Sequence, residues 1–129
     1  MSVPVPDGLR YTRDHEWLRL EGDEGVIGIT AYATEELGDI VFVELPDAGR
    51  KLDQHATFGV VESVKAVSDL FAPISGEVLA TNDALTGAPE LVNGEPYGSG
   101  WMIRIRLADP GEADGLLDAA AYDALIAEG

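Results

Sequence analysis

Residues 60–78 read VVESVKAVSDLFAPISGEV, and this stretch holds the clearest structural signal in the sequence. Two apolar segments, residues 58–64 and 67–74, are separated only by Lys65 and Ala66. Two apolar segments joined by so few residues predict a tight β-hairpin. The residue at the tip of such a hairpin points its side chain into solvent. The stretch therefore predicts a pair of strands that presents Lys65 at its exposed end.

Lys65 is one of only two lysines in the chain; the other is Lys51, and the remaining six cations are arginines. Arginine replaces lysine as a solvated cation but offers no readily acylated amine. A lysine at a hairpin tip is well placed for recognition by a modifying enzyme and for swinging a tethered group. Two simpler interpretations are a solubilising surface charge and a charge that interrupts an aggregation-prone apolar run. Spacing alone favours the solubilising role, so the choice depends on the rest of the sequence.

The rest of the chain predicts a mostly β protein. Short apolar or alternating segments, bounded by Gly, Pro and Asp, predict further strands at residues 17–20, 25–30, 39–45, 77–80 and 101–107. Residues 39–45 are apolar on both faces apart from Glu44, which predicts a central strand. Many short strands with frequent turns favour a sandwich or a barrel. No linker divides residues 1–129, so we expect a single domain.

Two segments carry helical signals. Thr30 as the N-cap and Gly38 as the stop bound a short helix over residues 31–37. Asp118 is placed to cap a C-terminal helix that runs to about residue 127. Residues 81–100 are rich in Gly, Pro and Asn, which predicts a long loop that is functional or wraps the core.

The composition excludes several classes of protein. The chain has 129 residues with 24 acidic against 8 basic side chains, a net charge of −16, so a nucleic-acid backbone would be repelled. Without cysteine, neither disulfides nor thiolate metal sites can form. No apolar run approaches the length of a membrane span, and residues 1–7 lack the features of a signal or transit peptide. We therefore expect a protein of the bacterial cytoplasm, or of the mitochondrial matrix if the chain is a trimmed eukaryotic one.

Several blocks of the sequence resemble the glycine cleavage H-protein family, in the family's order. The segment ESVKAVSDLFAPISGEV looks like the family's lipoylation signature, with Lys65 at the lipoyl position. Further matching blocks lie on both sides: HEW at 15–17, GIT at 28–30, LGDIVFVELP at 37–46, LVN at 91–93, PYG at 96–98 and GW at 100–101. The resemblance runs from about Leu9 to the final helix, which makes it more specific than any lone motif.

The resemblance implies a hammerhead fold, the barrel-sandwich hybrid of lipoyl and biotinyl domains, with a short internal helix and a C-terminal helix. It implies that Lys65 carries covalent lipoate and that the protein is a carrier, not an enzyme. The arm would take an aminomethyl group from the glycine decarboxylase (P protein) to the tetrahydrofolate-dependent aminomethyltransferase (T protein). Dihydrolipoamide dehydrogenase (L protein) would reoxidise it, a lipoyl ligase or octanoyltransferase would attach it, and the carrier would be a monomer.

Other interpretations stay open beside this one. Biotin carriers and the lipoyl domains of 2-oxo acid dehydrogenases share the fold, but Lys65 lacks their Met-Lys-Met or Asp-Lys contexts. The chain could also be a relay that hands lipoyl groups to other domains, or a degenerate hammerhead that acts as an acidic interaction module. An enzyme is disfavoured because the sequence shows no nucleophile–base pair, phosphate loop or metal set.

The resemblance also suggests site residues around the modified lysine. The expected recognition elements for the modifying enzyme are the neighbours Glu62, Ser63, Val64 and Ala66. A partly dry surface cleft would slow the attack of water on the cargo, and an amine-bearing arm would favour carboxylates. The expected cleft residues are Glu16, Asp69 and, as a hydrogen-bonding neighbour, Ser68. Each acid can equally be an ordinary solvated side chain.

The two histidines do not predict chemistry. His15 adjoins Glu16, but we expect it at a turn or strand end, packed near Trp17. His55 has no partner that the sequence identifies. Since neither histidine comes with a spaced second ligand, we predict no metal site and no catalytic residue.

Overall fold

The computed structural model describes residues 5–128, with the side chain of residue 128 left aside, so both predicted domain bounds, residues 1 and 129, lie outside the described part. Within that part the chain forms nine strands, four α-helices and one 3₁₀ helix. The strands are β1 (Arg10–Tyr11), β2 (Glu16–Glu21), β3 (Glu24–Ile29), β4 (Ile40–Glu44), β5 (Lys51–Leu52), β6 (Thr57–Ser63), β7 (Val67–Phe71), β8 (Gly76–Thr81) and β9 (Ile103–Leu107). The helices are α1 (Ala31–Leu37), α2 (Ala84–Gly87), α3 (Leu91–Gly94) and α4 (Ala119–Glu128), with the 3₁₀ helix at Pro110–Gly115.

The strands form two antiparallel sheets. The larger has the order β1-β2-β3-β9-β8-β5, and the smaller has the order β4-β6-β7. Apolar side chains from both sheets meet in one core, among them Leu18 and Ile27 from the larger sheet and Val61 and Leu70 from the smaller. The predicted mostly β architecture, with a short internal helix and a C-terminal helix, is confirmed.

The helix bounds follow the capping signals. The Thr30 hydroxyl accepts a hydrogen bond from the Ala33 backbone N–H, which satisfies one of the unpaired donors at the start of α1. At the other end Gly38 has φ +84°, a conformation that glycine adopts without steric cost, and its N–H donates to the Thr34 carbonyl. The Asp118 carboxylate accepts from the Ala121 N–H at the start of α4, as predicted. Buried Tyr122 packs α4 onto a second apolar cluster that includes Trp17.

Three expectations about the elements are wrong. Strand β4 is not central; it is an edge of the smaller sheet, and Val41 and Phe42 are 54% and 46% exposed. Its second apolar face is open because only one face of that sheet packs on the core. The expected loop of residues 81–100 contains α2 and α3, which are single turns too short to leave a periodic apolar pattern. The second hairpin strand, expected to reach residue 74, ends at Phe71, two residues before Pro73, which has no backbone N–H to pair.

Among the described residues, no helix is both long enough and apolar enough to cross a membrane.

Candidate functional site

The tip of the β6–β7 hairpin is a two-residue turn centred on Val64 and Lys65. The Ser63 N–H donates to the Ala66 carbonyl at 2.8 Å. The Ala66 N–H in turn donates to the Ser63 hydroxyl at 3.0 Å, so this side chain closes the turn. The sequence placed the tip one residue later, at Lys65 and Ala66; that position is wrong because Ser63 and Ala66 bond across the turn. Lys65 is exposed, as predicted.

A second set of contacts holds the hairpin tip against the end of helix α1. The Val64 N–H donates to the Asp39 carbonyl at 3.0 Å. A side-chain carbon added at Gly38 would lie 3.6 Å from Lys65 Cε, so Lys65 rests against this glycine. The position of Lys65 therefore depends on the segment that joins α1 to β4.

Asn93 fixes that joining segment, and the sequence assigned it no role. Its Nδ2 donates to the Gly38 carbonyl at 2.9 Å, and its Oδ1 accepts from the Ile40 N–H at 2.8 Å. Asn93 stands in the LVN block, but its partners are more than fifty positions away in the sequence, so no local pattern reveals them.

The outer face of the smaller sheet surrounds the tip with apolar and acidic groups. Pairing across the three strands sets Phe42 opposite Glu62, Glu62 opposite Val67, and Val60 opposite Asp69. Val64 and Val67, which flank Lys65, are 67% and 68% exposed. Exposed apolar side chains grouped at one place are typical of a protein-binding surface.

Glu16 lies deep between the two sheets. Its side chain is buried, with Oε1 accepting from the Thr12 hydroxyl at 2.7 Å and Oε2 accepting from the Phe71 N–H at 3.2 Å. The carboxyl group thus joins β2 of the larger sheet to the free edge of β7. Burial raises the pKa of Glu16 to about 8, and the hydrogen bonds from Thr12 and Phe71 only partly oppose that rise.

The same carboxyl lines a pocket of about 430 Å³, which we call the Glu16 pocket. Its walls include Asp14, exposed Arg13, exposed His55 and Phe71. Asp69 shares the outward face of β7 with Val67 near the tip and with Phe71 at the pocket, because side chains two apart in a strand point the same way. Of the three predicted cleft residues, Glu16 thus lines this pocket, and Asp69 lies on the outward face of the strand that leads to it.

Ser68 does not lie on the outward face of β7 with Asp69. It is half-buried on the opposite face of β7, paired with fully buried Val61. Its hydroxyl has a long 3.5 Å contact with the Asp69 carbonyl. The strand alternation that separates Ser68 from Asp69 was available in the sequence.

His15 takes a structural position, whereas His55 is exposed at the Glu16 pocket. His15 precedes β2 with φ +71°, and its Nδ1 lies 2.8 Å from the Tyr122 hydroxyl. The rings that it contacts are those of Tyr32 and Tyr122, whereas we expected Trp17. Burial lowers the pKa of His15. Within residues 5–128, no group of three or more His, Asp or Glu side chains is arranged to hold a metal ion.

Comparisons with known proteins are consistent with this geometry. A family model described as glycine cleavage H-protein matches residues 9–129. A glycine cleavage system H protein of Symbiobacterium thermophilum is 56% identical over 125 residues, which cover 97% of this chain and 98% of the relative. A protein with the same description from Magnetococcus marinus is 62% identical over 124 residues, covering 96% of this chain and 89% of the relative.

A solved structure gives the same result for the fold. The crystal structure of a glycine cleavage system H protein from Mycobacterium marinum superposes with a TM-score of 0.88 at 39% identity, covering 95% of this chain and 99% of that chain. The predicted hammerhead fold of the lipoyl-biotinyl type is confirmed.

Proposed function

The chain belongs to the glycine cleavage H-protein family, and we propose that its part in that system is to carry a lipoyl group on Lys65. The observation that supports this most strongly is the closed two-residue turn that presents Lys65 to solvent. Lys51, the other lysine, is also exposed, but it lies in β5 opposite Glu77 of β8 and not at a hairpin tip. An exposed primary amine fits amide formation with lipoate, whose dithiolane supplies the group-transfer and redox chemistry when bound.

The residues around Lys65 serve recognition by the enzyme that attaches the arm, a lipoyl ligase or an octanoyltransferase. Ser63 fixes the turn and Ala66 completes it, so the enzyme meets one shape of the backbone. Val64 offers an exposed apolar contact, and Glu62 offers a carboxylate on the adjoining outer face. An apolar and acidic surface is complementary to a partner with an apolar pocket and basic rim.

Buried Glu16 holds the amine end of the aminomethyl cargo, while exposed Asp69 attracts it only weakly. Phe71 at the Glu16 pocket ends β7, roughly 13 Å from Val67 beside the tip at 3.3 Å per residue, a distance that an extended lysine and acyl chain on Lys65 can span. Asp69 lies on the way, on the outward face of β7. A cation in the pocket favours the ionised form of buried Glu16, so carboxylate and ammonium stabilise each other where water is scarce.

The protein then works by presentation, not by catalysis. The arm visits the glycine decarboxylase, the tetrahydrofolate-dependent aminomethyltransferase and dihydrolipoamide dehydrogenase, which supply the catalytic groups. Tethering raises the effective concentration of the cargo at each of these enzymes. We further propose that residues 1–129 form one carrier domain, monomeric in the cytoplasm.

Mass spectrometry of the intact protein tests the assignment of Lys65. Wild-type protein incubated with lipoate, ATP and a lipoyl ligase should gain the mass of one lipoyl group. Lys65→Arg should gain none, while the matched variant Lys51→Arg should behave as the wild type. A lipoylated Lys65→Arg protein would sink the assignment.

A further inference from the structure

Besides the Glu16 pocket, a groove lies next to Lys65, between helices α1 and α3. This α1–α3 groove has a volume of about 580 Å³, within the range of about 300–1,000 Å³ common for small-molecule sites. Its walls are formed by Ala31, Thr34, Gly38, Gly94, Pro96 and Tyr97. Glu35 and Asp39 also line it, and both are exposed to solvent.

The groove begins where the Lys65 side chain already lies. Gly38 is one of its walls, and Lys65 Cε is the nearest atom that a side-chain carbon at Gly38 would meet, at 3.6 Å. Asn93, another lining residue, bonds to the Gly38 carbonyl and the Ile40 N–H and so fixes this end of the groove. A chain extended from the Lys65 amine thus has an adjoining surface on which to lie.

The far wall is preformed and largely apolar. The Tyr97 hydroxyl accepts from the Ala31 N–H at 3.0 Å, and the Trp17 indole N–H donates to the Pro96 carbonyl at 2.9 Å. These bonds hold an aromatic ring and a proline ring in place before anything binds. Sulfur atoms make favourable contacts with aromatic rings, and a fixed wall lowers the ordering cost of binding.

We propose that the α1–α3 groove is the resting site of the oxidised, uncharged lipoyl arm, with the dithiolane ring against Tyr97 and Pro96. The inference rests on the proposed lipoylation of Lys65. The exposed carboxylates Glu35 and Asp39 are screened by water and hold a cation weakly, so the groove suits a neutral arm and not the aminomethyl cargo. Resting there keeps the ring off the solvent while it waits for a partner enzyme.

Gly94 offers a way to fill the groove without disturbing the fold. It ends α3, is exposed, and a side-chain carbon added there meets no atom within 4 Å. Gly87 is a matched control, because it ends the four-residue helix α2 in the same way, has the same open space, and does not line the groove. The variants are Gly94→Phe, the smaller Gly94→Leu, and Gly87→Phe.

Two measurements on the intact lipoylated carrier test the proposal. The first compares backbone amide NMR spectra before and after lipoylation; Ala31, Thr34 and Tyr97, which line the groove away from the Lys65 stem, should shift in the wild type and in Gly87→Phe, but not in Gly94→Phe. The second follows reduction of the dithiolane by a water-soluble phosphine, which should be about two- to fivefold faster in Gly94→Phe than in the other two proteins. Gly94→Leu should give intermediate values.

The outcomes separate the two proposals. If the wild type is lipoylated on Lys65 but its groove amides do not shift, or if Gly94→Phe keeps the shifts and the slow reduction, the resting site is overturned and the carrier function stands. If mass spectrometry shows no lipoyl group on Lys65, the carrier function fails and the resting site fails with it.

Discussion

The Glu16 pocket and the α1–α3 groove lie on the two sides of the Lys65 hairpin, and they differ in where their acids sit relative to water. Each is lined by two carboxylates: Asp14 and Glu16 in the pocket, Glu35 and Asp39 in the groove. Glu16 is 1% exposed, whereas both groove acids are exposed. The two sites therefore differ in the burial of their carboxylates and not in the number, and under the proposed function this burial selects the pocket for a charged end of the arm.

The largest difference should appear in the pH dependence of stability. Burial raises the pKa of Glu16 to about 8 from 4.5, so the native state binds a proton that the unfolded state releases. The free energy of unfolding gained from this proton is complete below pH 4.5 and is lost as the pH rises to 8, by up to about 1.4 kcal/mol per pH unit. Denaturant titrations should show that wild type loses several kcal/mol relative to Glu16→Gln across this range.

Asp69→Asn is the control for that experiment, since Asp69 is exposed on the same route to the pocket. Its unfolding free energy should run parallel to that of the wild type. Equal pH dependence in wild type and Glu16→Gln would show that Glu16 is not buried as the structure has it.

The shape of the groove should depend on the partly buried hydrogen bonds that Asn93 makes. Asn93→Ala removes the partners of the Gly38 carbonyl and the Ile40 N–H. Because both hydrogen bonds are only partly buried, water replaces some of the loss, and we expect a decrease of about 1–3 kcal/mol in the free energy of unfolding. Asn93→Asp keeps an acceptor for the Ile40 N–H but sets a carboxylate oxygen against the Gly38 carbonyl, so it should not restore the loss. A change below about 0.5 kcal/mol for Asn93→Ala would contradict the network.

The rate at which the loaded aminomethyl group is lost compares the Glu16 pocket with the α1–α3 groove directly. With the aminomethyl group loaded, Glu16→Gln should release formaldehyde and ammonia about tenfold faster than the wild type, because a hydrogen bond to a charged group contributes about 1.5–3 kcal/mol. Glu35→Gln, a groove acid, should leave the rate unchanged. A faster release from Glu35→Gln than from Glu16→Gln would reverse the assignment of the two hollows.

The smallest expected change in the free energy of unfolding concerns the β6–β7 turn, which lies between the pocket and the groove. Ser63→Ala removes the acceptor of the Ala66 N–H and should lower the free energy of unfolding by about 1 kcal/mol. Ser63→Thr keeps a hydroxyl and should restore most of the loss. Thermal unfolding of the three proteins is a sufficient measurement, and equal midpoints would mean that the backbone alone closes the turn.

The sequence predicted what depends on local pattern. Lys65 at a hairpin tip follows from two apolar runs with a short gap, and the bounds of α1 follow from Thr30 and Gly38. The prediction that β4 is a central strand was wrong. It took the apolar residues Val41 and Phe42 as a sign of burial, but both are exposed on the open outer face. The site was harder for a different reason: the burial of Glu16 and the role of Asn93 depend on Phe71, Gly38 and Ile40, which are distant in sequence.

The bond from the Phe71 N–H to Glu16 has a consequence for aggregation. Strand β7 is an edge of the smaller sheet, and an edge strand presents backbone groups that can pair with the same edge of another molecule. At Phe71 a side-chain carboxyl takes the place of a neighbouring strand and closes that position. A carboxyl, unlike a strand, leaves the adjoining surface open for a tethered arm. Under the proposed function, the same group blocks edge-to-edge pairing at Phe71 and leaves the path of the cargo clear.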